Sequence, residues 1–252
     1  MRSVSRRRKD KGYHTMSDLK DIVDSINLPK TILERADAFL RVLLGPATTE
    51  AGDLLADRIR FRPFRNQVCM LQTAQELLDA AGLKAKEVPL RTLVPLVERA
   101  SLEEHPDLQR MWATLLANAS QASIGTALQS VCIAVLSNIS PLEAKILTVV
   151  YSDYLEKEPK LLEEWRAKGR NRSTMPASFL FYRPMDLLRR AAIPEGDGEI
   201  LLDNLQRLGI LRLDTPQLED GEIQDPDYMQ LTELGLRVLK TCNEPPAARS
   251  SG

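Results

Sequence analysis

The chain reads as mainly α: a helical N-terminal domain followed by a winged-helix-like C-terminal domain with a small β-hairpin. Three observations predict this. Aromatic residues are only 5% of the 252 residues while Leu and Ala abound, a composition that favours helix over sheet. Apolar residues recur at i, i+3, i+4 and i+7 through much of residues 30–155, the period of helices with one buried face. In the last third the pattern shortens to helix, helix, strand, loop, strand, the order expected of a winged helix.

Taken in order, SDLKDIVDSI (17–26) predicts a short amphipathic helix capped by Ser17. In PKTILERADAFLRVLLG, Ile32, Leu33, Ala36, Phe39, Leu40, Leu43 and Leu44 form one stripe, and Gly45-Pro46 stops that helix and restarts the chain. The following helix covers about 47–81, with Ala51, Leu55 and Ile59 on one stripe and Phe64, Val68, Leu71 and Leu78 on a second. Pro63 between them predicts a kink or break near Arg62, because proline removes a backbone donor and crowds the preceding turn. Gly82 closes the element. PLRTLVPLVERAS (89–101) is a further helix, in which Pro95 sits awkwardly if the helix begins at Pro89.

Leu108, Met111, Trp112, Leu115, Leu116 and Ala119 form the buried stripe of the next helix, and IGTALQSVCIAVLSNI supplies one more. SPLEAKILTVVYSDYL opens with Ser140 as cap, Pro141 in the first turn and Glu143 completing a capping box; it would be the first helix of the winged unit. From 156 to 183 the periodicity dissolves, and the basic stretch with Gly169 and Pro176 predicts a surface loop. PMDLLRRAAI and EGDGEILLDNLQRLGI are two short helices, the second ending at Gly209. ILRLD and YMQL are the hairpin strands, and LTELGLRVLKTC is the closing helix. The layout is thus a disordered basic tail (1–16), a helical domain (17–138), a winged-helix-like domain (139–242) with its loop insertion at about 156–183, and a disordered tail (243–252).

Composition narrows the function classes. No window approaches 18 uninterrupted apolar residues, which argues against a membrane span, and the basic start runs into polar residues rather than a signal sequence. Cys69, Cys132 and Cys242 are odd in number and far apart in sequence, so a reducing, cytoplasmic setting is expected. The net charge of −1 conceals an asymmetry. Arg2, Arg6, Arg7, Arg8, Lys9 and Lys11 against Asp10 give the first fifteen residues +5, leaving −6 for the rest. Met16 is an alternative start to Met1.

The stretch SLEEHPDLQRMW (101–112) gathers the most ligand-like side chains. Glu103, Glu104 and His105 are consecutive, so on a helix they would diverge by about 100° each rather than converge on a metal. Ser101 and Glu104 instead have capping-box spacing, Pro106 suits a first turn, and carboxylates favour the positive end of a helix. With His14 in the tail, His105 is the body's only histidine, and no nucleophile–base arrangement, phosphate loop, HExxH or GxSxG is present. No catalytic residue, metal ligand or cofactor is therefore expected. Arg58, Arg60, Arg62 and Arg65, interleaved with Phe61 and Phe64, are candidate anion or nucleic-acid contacts; a second basic group is Arg166, Lys168, Arg170 and Arg172. The presumed recognition helix is acidic, with Glu195, Asp197, Glu199 and Asp203 against Arg207, and the presumed wing adds Asp214, Glu219, Asp220, Glu222, Asp225 and Asp227. Such a surface repels phosphates and points to protein contacts.

The run GPATTEAGDLLADRIRFRPFRNQVCMLQTAQELLDAAG, then VPLRTLVPLVERASLEEHPDLQRMWATLLANAS, LSNISPLEAKIL and YMQLTELGLRVLKTC, resembles the abortive infection alpha (Abi-alpha) family of bacterial proteins over about residues 40–242. The resemblance implies a mostly helical protein of phage defence, in which an infected cell halts or dies before phage matures. It carries no catalytic residues across; Trp112, Leu115, Leu116 and Asn118 are implied to be structural. The chain departs from the family pattern at Pro63 and at SIGTAL, where a histidine-proline pair is absent. The preferred reading is a cytoplasmic abortive-infection protein working through a protein partner or self-association. The alternatives are a winged-helix nucleic-acid-binding regulator, and a hydrolase or nuclease built from scattered carboxylates.

Overall fold

The computed structural model describes residues 29–45, 64–121, 125–170, 180–194, 196–214 and 228–247. The expected helix at 17–26, the basic tail, the segment around Pro63 and most of the presumed wing lie outside these residues. Among the described residues nine helices and three short strands follow one another: α1 (Lys30–Leu44), α2 (Phe64–Ala80), α3 (Leu90–Ala100), α4 (Pro106–Ala119), α5 (Thr126–Leu136), α6 (Pro141–Ala167), β1 (Phe181–Tyr182), α7 (Pro184–Arg190), α8 (Gly198–Arg207), β2 (Leu211–Asp214), β3 (Tyr228–Leu231) and α9 (Glu233–Asn243). The protein is mainly α, as its composition dictates.

The predicted stripes are the buried ones. Ala36, Phe39, Leu40, Leu43 and Leu44 of α1 are buried, as are Val68, Leu71 and Leu78 of α2. Helix α4 goes further than its stripe foretold: every residue from Met111 to Ser120 is buried. Its small side chains Ala113, Ala117 and Ala119 let α2 and α9 approach closely, so α4 is a central helix rather than a surface one. Trp112, 1% exposed, is among the largest fully buried side chains and lies in one continuous apolar core running from Ala36 to Cys242.

Proline proved a weaker breaker than the sequence suggested. Pro95 lies inside α3 and Pro159 inside α6. Helix α6 opens with the predicted capping box, Ser140 and Glu143 bonding each other's backbone N–H, and Pro141 in its first turn. It then continues to Ala167, which corrects the expected loop insertion at about 156–183. The segment EKEPKLLEEWRA is helical because Glu, Lys, Leu and Ala are strong helix formers, although only Leu162 in it is buried. Phe181 and Tyr182, at the far end of the expected insertion, form β1.

The sheet has three strands in the order β1-β3-β2, both pairings antiparallel. Leu211 pairs with Leu231 and Asp214 with Tyr228, giving the expected β2–β3 hairpin pairing; Phe181 pairs with Gln230 and Tyr182 with Met229 on the other side of β3. Two residues are too few to show strand alternation, so β1 owes its place to the neighbour it pairs with. Helix α9 then docks on α4. Asn118 donates its side-chain amide to the carbonyls of Thr241 (2.9 Å) and Glu244 (2.8 Å), closing carbonyls at the end of α9. With Pro246 buried as well, the chain is held beyond Asn243, correcting a tail expected to be loose from residue 243.

Candidate functional site

The ligand-like stretch before Trp112 is a helix start, but its parts are distributed differently from expectation. Ser101 is the C-cap of α3, its hydroxyl donating to the Glu98 carbonyl at 2.8 Å. The N-cap of α4 is His105, with Pro106 in the first turn and no side-chain bond from the cap itself. Glu103, not Glu104, receives the N–H groups: its Oε1 accepts from the backbone of Glu104 (3.0 Å) and His105 (2.8 Å). Glu104 is exposed. The expected Ser101–Glu104 capping box is therefore replaced by an α3 cap and an independent carboxylate turn. Leu115 and Leu116 are fully buried behind Trp112.

Of the arginine group, Arg58, Arg60 and Arg62 lie outside the described residues, and Arg65 is exposed on the first turn of α2. Of the second group, Arg170 stacks over Trp165 with 4.6 Å to the ring centroid, packing its guanidinium against the end of α6. Among the described residues no group of three or more His, Cys, Asp or Glu is arranged to hold a metal ion, and no helix is long and apolar enough to cross a membrane.

The fold does bring together pairs that sequence distance concealed. Cys132 of α5 and Cys242 of α9 are both fully buried, and a hydrogen bond to the Cys132 thiol, followed by burial, pushes the Cys242 thiol well up. Such a thiol is inert rather than nucleophilic. Asp153 of α6, with its side chain 7% exposed, is gripped by Arg190 of α7 through two bonds of 2.8 and 2.5 Å. Burial raises the Asp153 carboxyl, but the Arg190 bonds and charge outweigh it and hold the group below its ordinary value. The buried Tyr182 hydroxyl of β1 is close enough to be pushed up by burial first and by the Asp153 charge second, though its geometry completes no regular hydrogen bond. This cluster fixes α7 and β1 against α6.

With α7 so fixed, a cleft of about 510 Å3 opens between α7 and α8, lined by Met185, Leu188, Arg189, Ile193, Pro194, Gly196, Gly198 and Glu199. The turn joining the helices carries Gly196 at φ +100°, and at Gly198 a Cβ would come within 2.3 Å of Leu188 Cδ1, so the helices meet closely at that point. Two large apolar side chains of these helices are unburied: Met185 at the cleft edge is 63% exposed, and Ile200, about 200° round α8 from the Gly198 that meets α7, is 71% exposed on the outer side. Around Ile200 the N-cap Asp197 and the helical Glu199 and Asp203 are exposed. The nearby cations are occupied: Arg189 pairs with Asp186 at 3.0 Å, Arg190 with Asp153, and Arg207 donates to Asn204. The acidic face was legible from the sequence; the exposure of Ile200 and Met185 was not, since local spacing in two short helices does not say which side their neighbours cover.

The geometry defines a mainly helical protein whose short C-terminal helices and three-stranded antiparallel sheet present an acidic, partly apolar face. The family model for abortive infection alpha matches residues 65–242, and the chain belongs to that family. No curated protein and no solved structure matches it.

Proposed function

We propose that the protein acts in abortive infection, the arrest or death of a phage-infected bacterium, in the cytoplasm and by contacting another protein rather than by chemistry of its own. Family membership supports the biological setting. The observation that carries the contact reading is the outer face of α8, where Asp197, Glu199 and Asp203 surround an Ile200 that is 71% exposed. Taken with the α7–α8 cleft and its exposed Met185, it gives these two short helices apolar surface within a charged rim, the composition of a docking surface. The test is a phage challenge of cells expressing the intact protein or its Ile200→Glu variant, scoring plaques and survival. Protection by the former and its loss in the latter, at equal protein level, is expected; equal protection by both would overturn the contact reading.

A second reading has its own support. The order helix, strand, helix, helix, strand, strand from α6 to β3, with sheet order β1-β3-β2, supports a winged-helix reading of this part, which would fit a nucleic-acid-binding regulator. In that arrangement α8 would enter the groove, yet its first turns carry Asp197 and Glu199, which repel phosphates. Salt-sensitive duplex binding abolished by substitutions on α8 would favour this second reading over the first.

A further inference from the structure

We infer that the α7–α8 cleft docks a cationic segment of a partner protein that carries a large aliphatic or aromatic anchor side chain. The inference deepens the protein-contact reading above and rests on it. Two features of the face specify opposite halves of such a ligand. The cleft, about 510 Å3 and lined on its apolar side by Met185, Leu188, Ile193 and Pro194, falls within the roughly 300–1,000 Å3 that suits ligand pockets. Met185 at its edge is 63% exposed, and methionine adapts readily to varied apolar partners. Ile200, on the outer side of α8 away from α7, offers a second, separate apolar contact to a segment lying across that helix. These residues call for an apolar anchor.

The charges call for a cation. Asp197 is the N-cap of α8, Glu199 lies in its first turn and Asp203 one turn further on, and none is in an ion pair with another described residue. Like charges so placed repel one another and are relieved when a positive chain lies across them. Because Asp203 sits a turn beyond the cleft lining, one small molecule in the cleft would leave it uncompensated; a peptide segment spans both. Arg189, the one cation among the described residues lining the cleft, is already paired with Asp186.

The experiment is a titration of the purified full chain with fluorescent probes: an amphipathic Lys/Leu peptide, its Glu/Leu counterpart, and a DNA duplex. The Lys/Leu peptide is expected to bind with an affinity that falls as salt rises. Ile200→Glu, Met185→Glu and Asp203→Lys should each weaken it roughly tenfold, whereas Leu102→Glu, at a distant exposed leucine (54%), should not. All four positions are exposed, so these variants retain the fold, which circular dichroism checks. Equal binding of the Glu/Leu peptide, equal weakening by Leu102→Glu, or direct binding of the duplex to the protein more tightly than the Lys/Leu peptide would each overturn the inference. The titration needs no infected cell, so its failure and a failed phage challenge are separate results.

Discussion

Asn204 of α8 reaches across to Glu143 of α6, donating its side-chain amide to the Glu143 carboxylate and to the Asn138 carbonyl at 2.9 Å. Glu143 is 2% exposed, and its other oxygen takes the Ser140 N–H at 2.6 Å. One buried carboxylate therefore caps α6 and anchors the helix that bears the acidic face. Asn204→Ala is expected to cost about 1.5–3 kcal/mol, the range for a hydrogen bond to a charged group. Asn204→Asp should cost more at neutral pH and recover partly in acid, because it sets two carboxylates together. Denaturant midpoints at two pH values check both.

The Asp153–Arg190 pair predicts a pH dependence. The folded-state carboxyl is held below its ordinary value, so the unfolded chain binds the proton more readily. The stabilisation is then fully present above the unfolded value of about 3.9 and is lost as pH falls through the lower folded value. Asp153→Asn should lower the melting temperature at neutral pH and flatten its acid limb; Arg190→Met should also lower it at neutral pH, costing about 1.5–3 kcal/mol of stability by leaving a buried charge without its partner. A melting curve series from neutral to strongly acid pH decides. An unchanged acid limb in Asp153→Asn would show that other carboxylates set it.

The helical body was legible because burial writes itself into the sequence as period: Phe39, Leu40, Leu43, Leu108, Trp112 and Leu115 all lie where the stripes put them. The second half of α6 was not, because it is held by helix propensity with one buried leucine and carries Pro159. Strand β1 was hidden by its length. The acidic character of α8 could be counted from the sequence, but the contrast between exposed Ile200 and buried Leu202 depends on which side α7 and α6 cover. The Cys132–Cys242 and Asp153–Arg190 pairs join residues far apart in the chain, and no local spacing encodes them.

The start of α4 separates two carboxylates that the sequence treats alike. Glu103→Ala removes the acceptor for the Glu104 and His105 N–H groups and should cost about 1 kcal/mol, as loss of a capping acceptor does. Glu104→Ala, at an exposed side chain, should fall within about 0.5 kcal/mol of the parent. Paired urea titrations check the difference. A larger loss at Glu104 would restore the capping-box arrangement.

Gly235 marks where α9 meets the β2 edge of the sheet. A Cβ there would lie 2.3 Å from the Ile210 carbonyl oxygen and 2.9 Å from Leu231 Cδ1, and backbone cannot yield as a side-chain tip can. Thr232 fixes the same junction, its hydroxyl donating to the Gly209 carbonyl (2.6 Å) while accepting the Gly235 N–H (2.8 Å). Gly235→Ala is expected to cost about 1–3 kcal/mol through overpacking, read as a lowered thermal midpoint with helix content retained below it.

Ala192 is a position where the chain can be improved. Helices α2, α6 and α8 end with glycines at positive φ, Gly82, Gly169 and Gly209, each followed by an N–H bonded back to the last turn: Leu83 to Leu78, Arg170 to Trp165 and Ile210 to Leu205. Helix α7 ends the same way, with Ile193 N–H on the Leu188 carbonyl at 3.0 Å, but the left-handed position is filled by Ala192 at φ 52°. An L side chain costs roughly 1–2 kcal/mol there, which glycine avoids, while glycine's extra freedom in the unfolded chain returns part of that gain. Ala192→Gly is therefore expected to stabilise the protein by about 0.5–1 kcal/mol. Because Ala192 is exposed and precedes the cleft lining at Ile193, the same variant should leave Lys/Leu peptide binding unchanged. A rise in melting temperature without a change in affinity is the expected result; a fall would mean that the α7–α8 turn draws on the alanine methyl for packing.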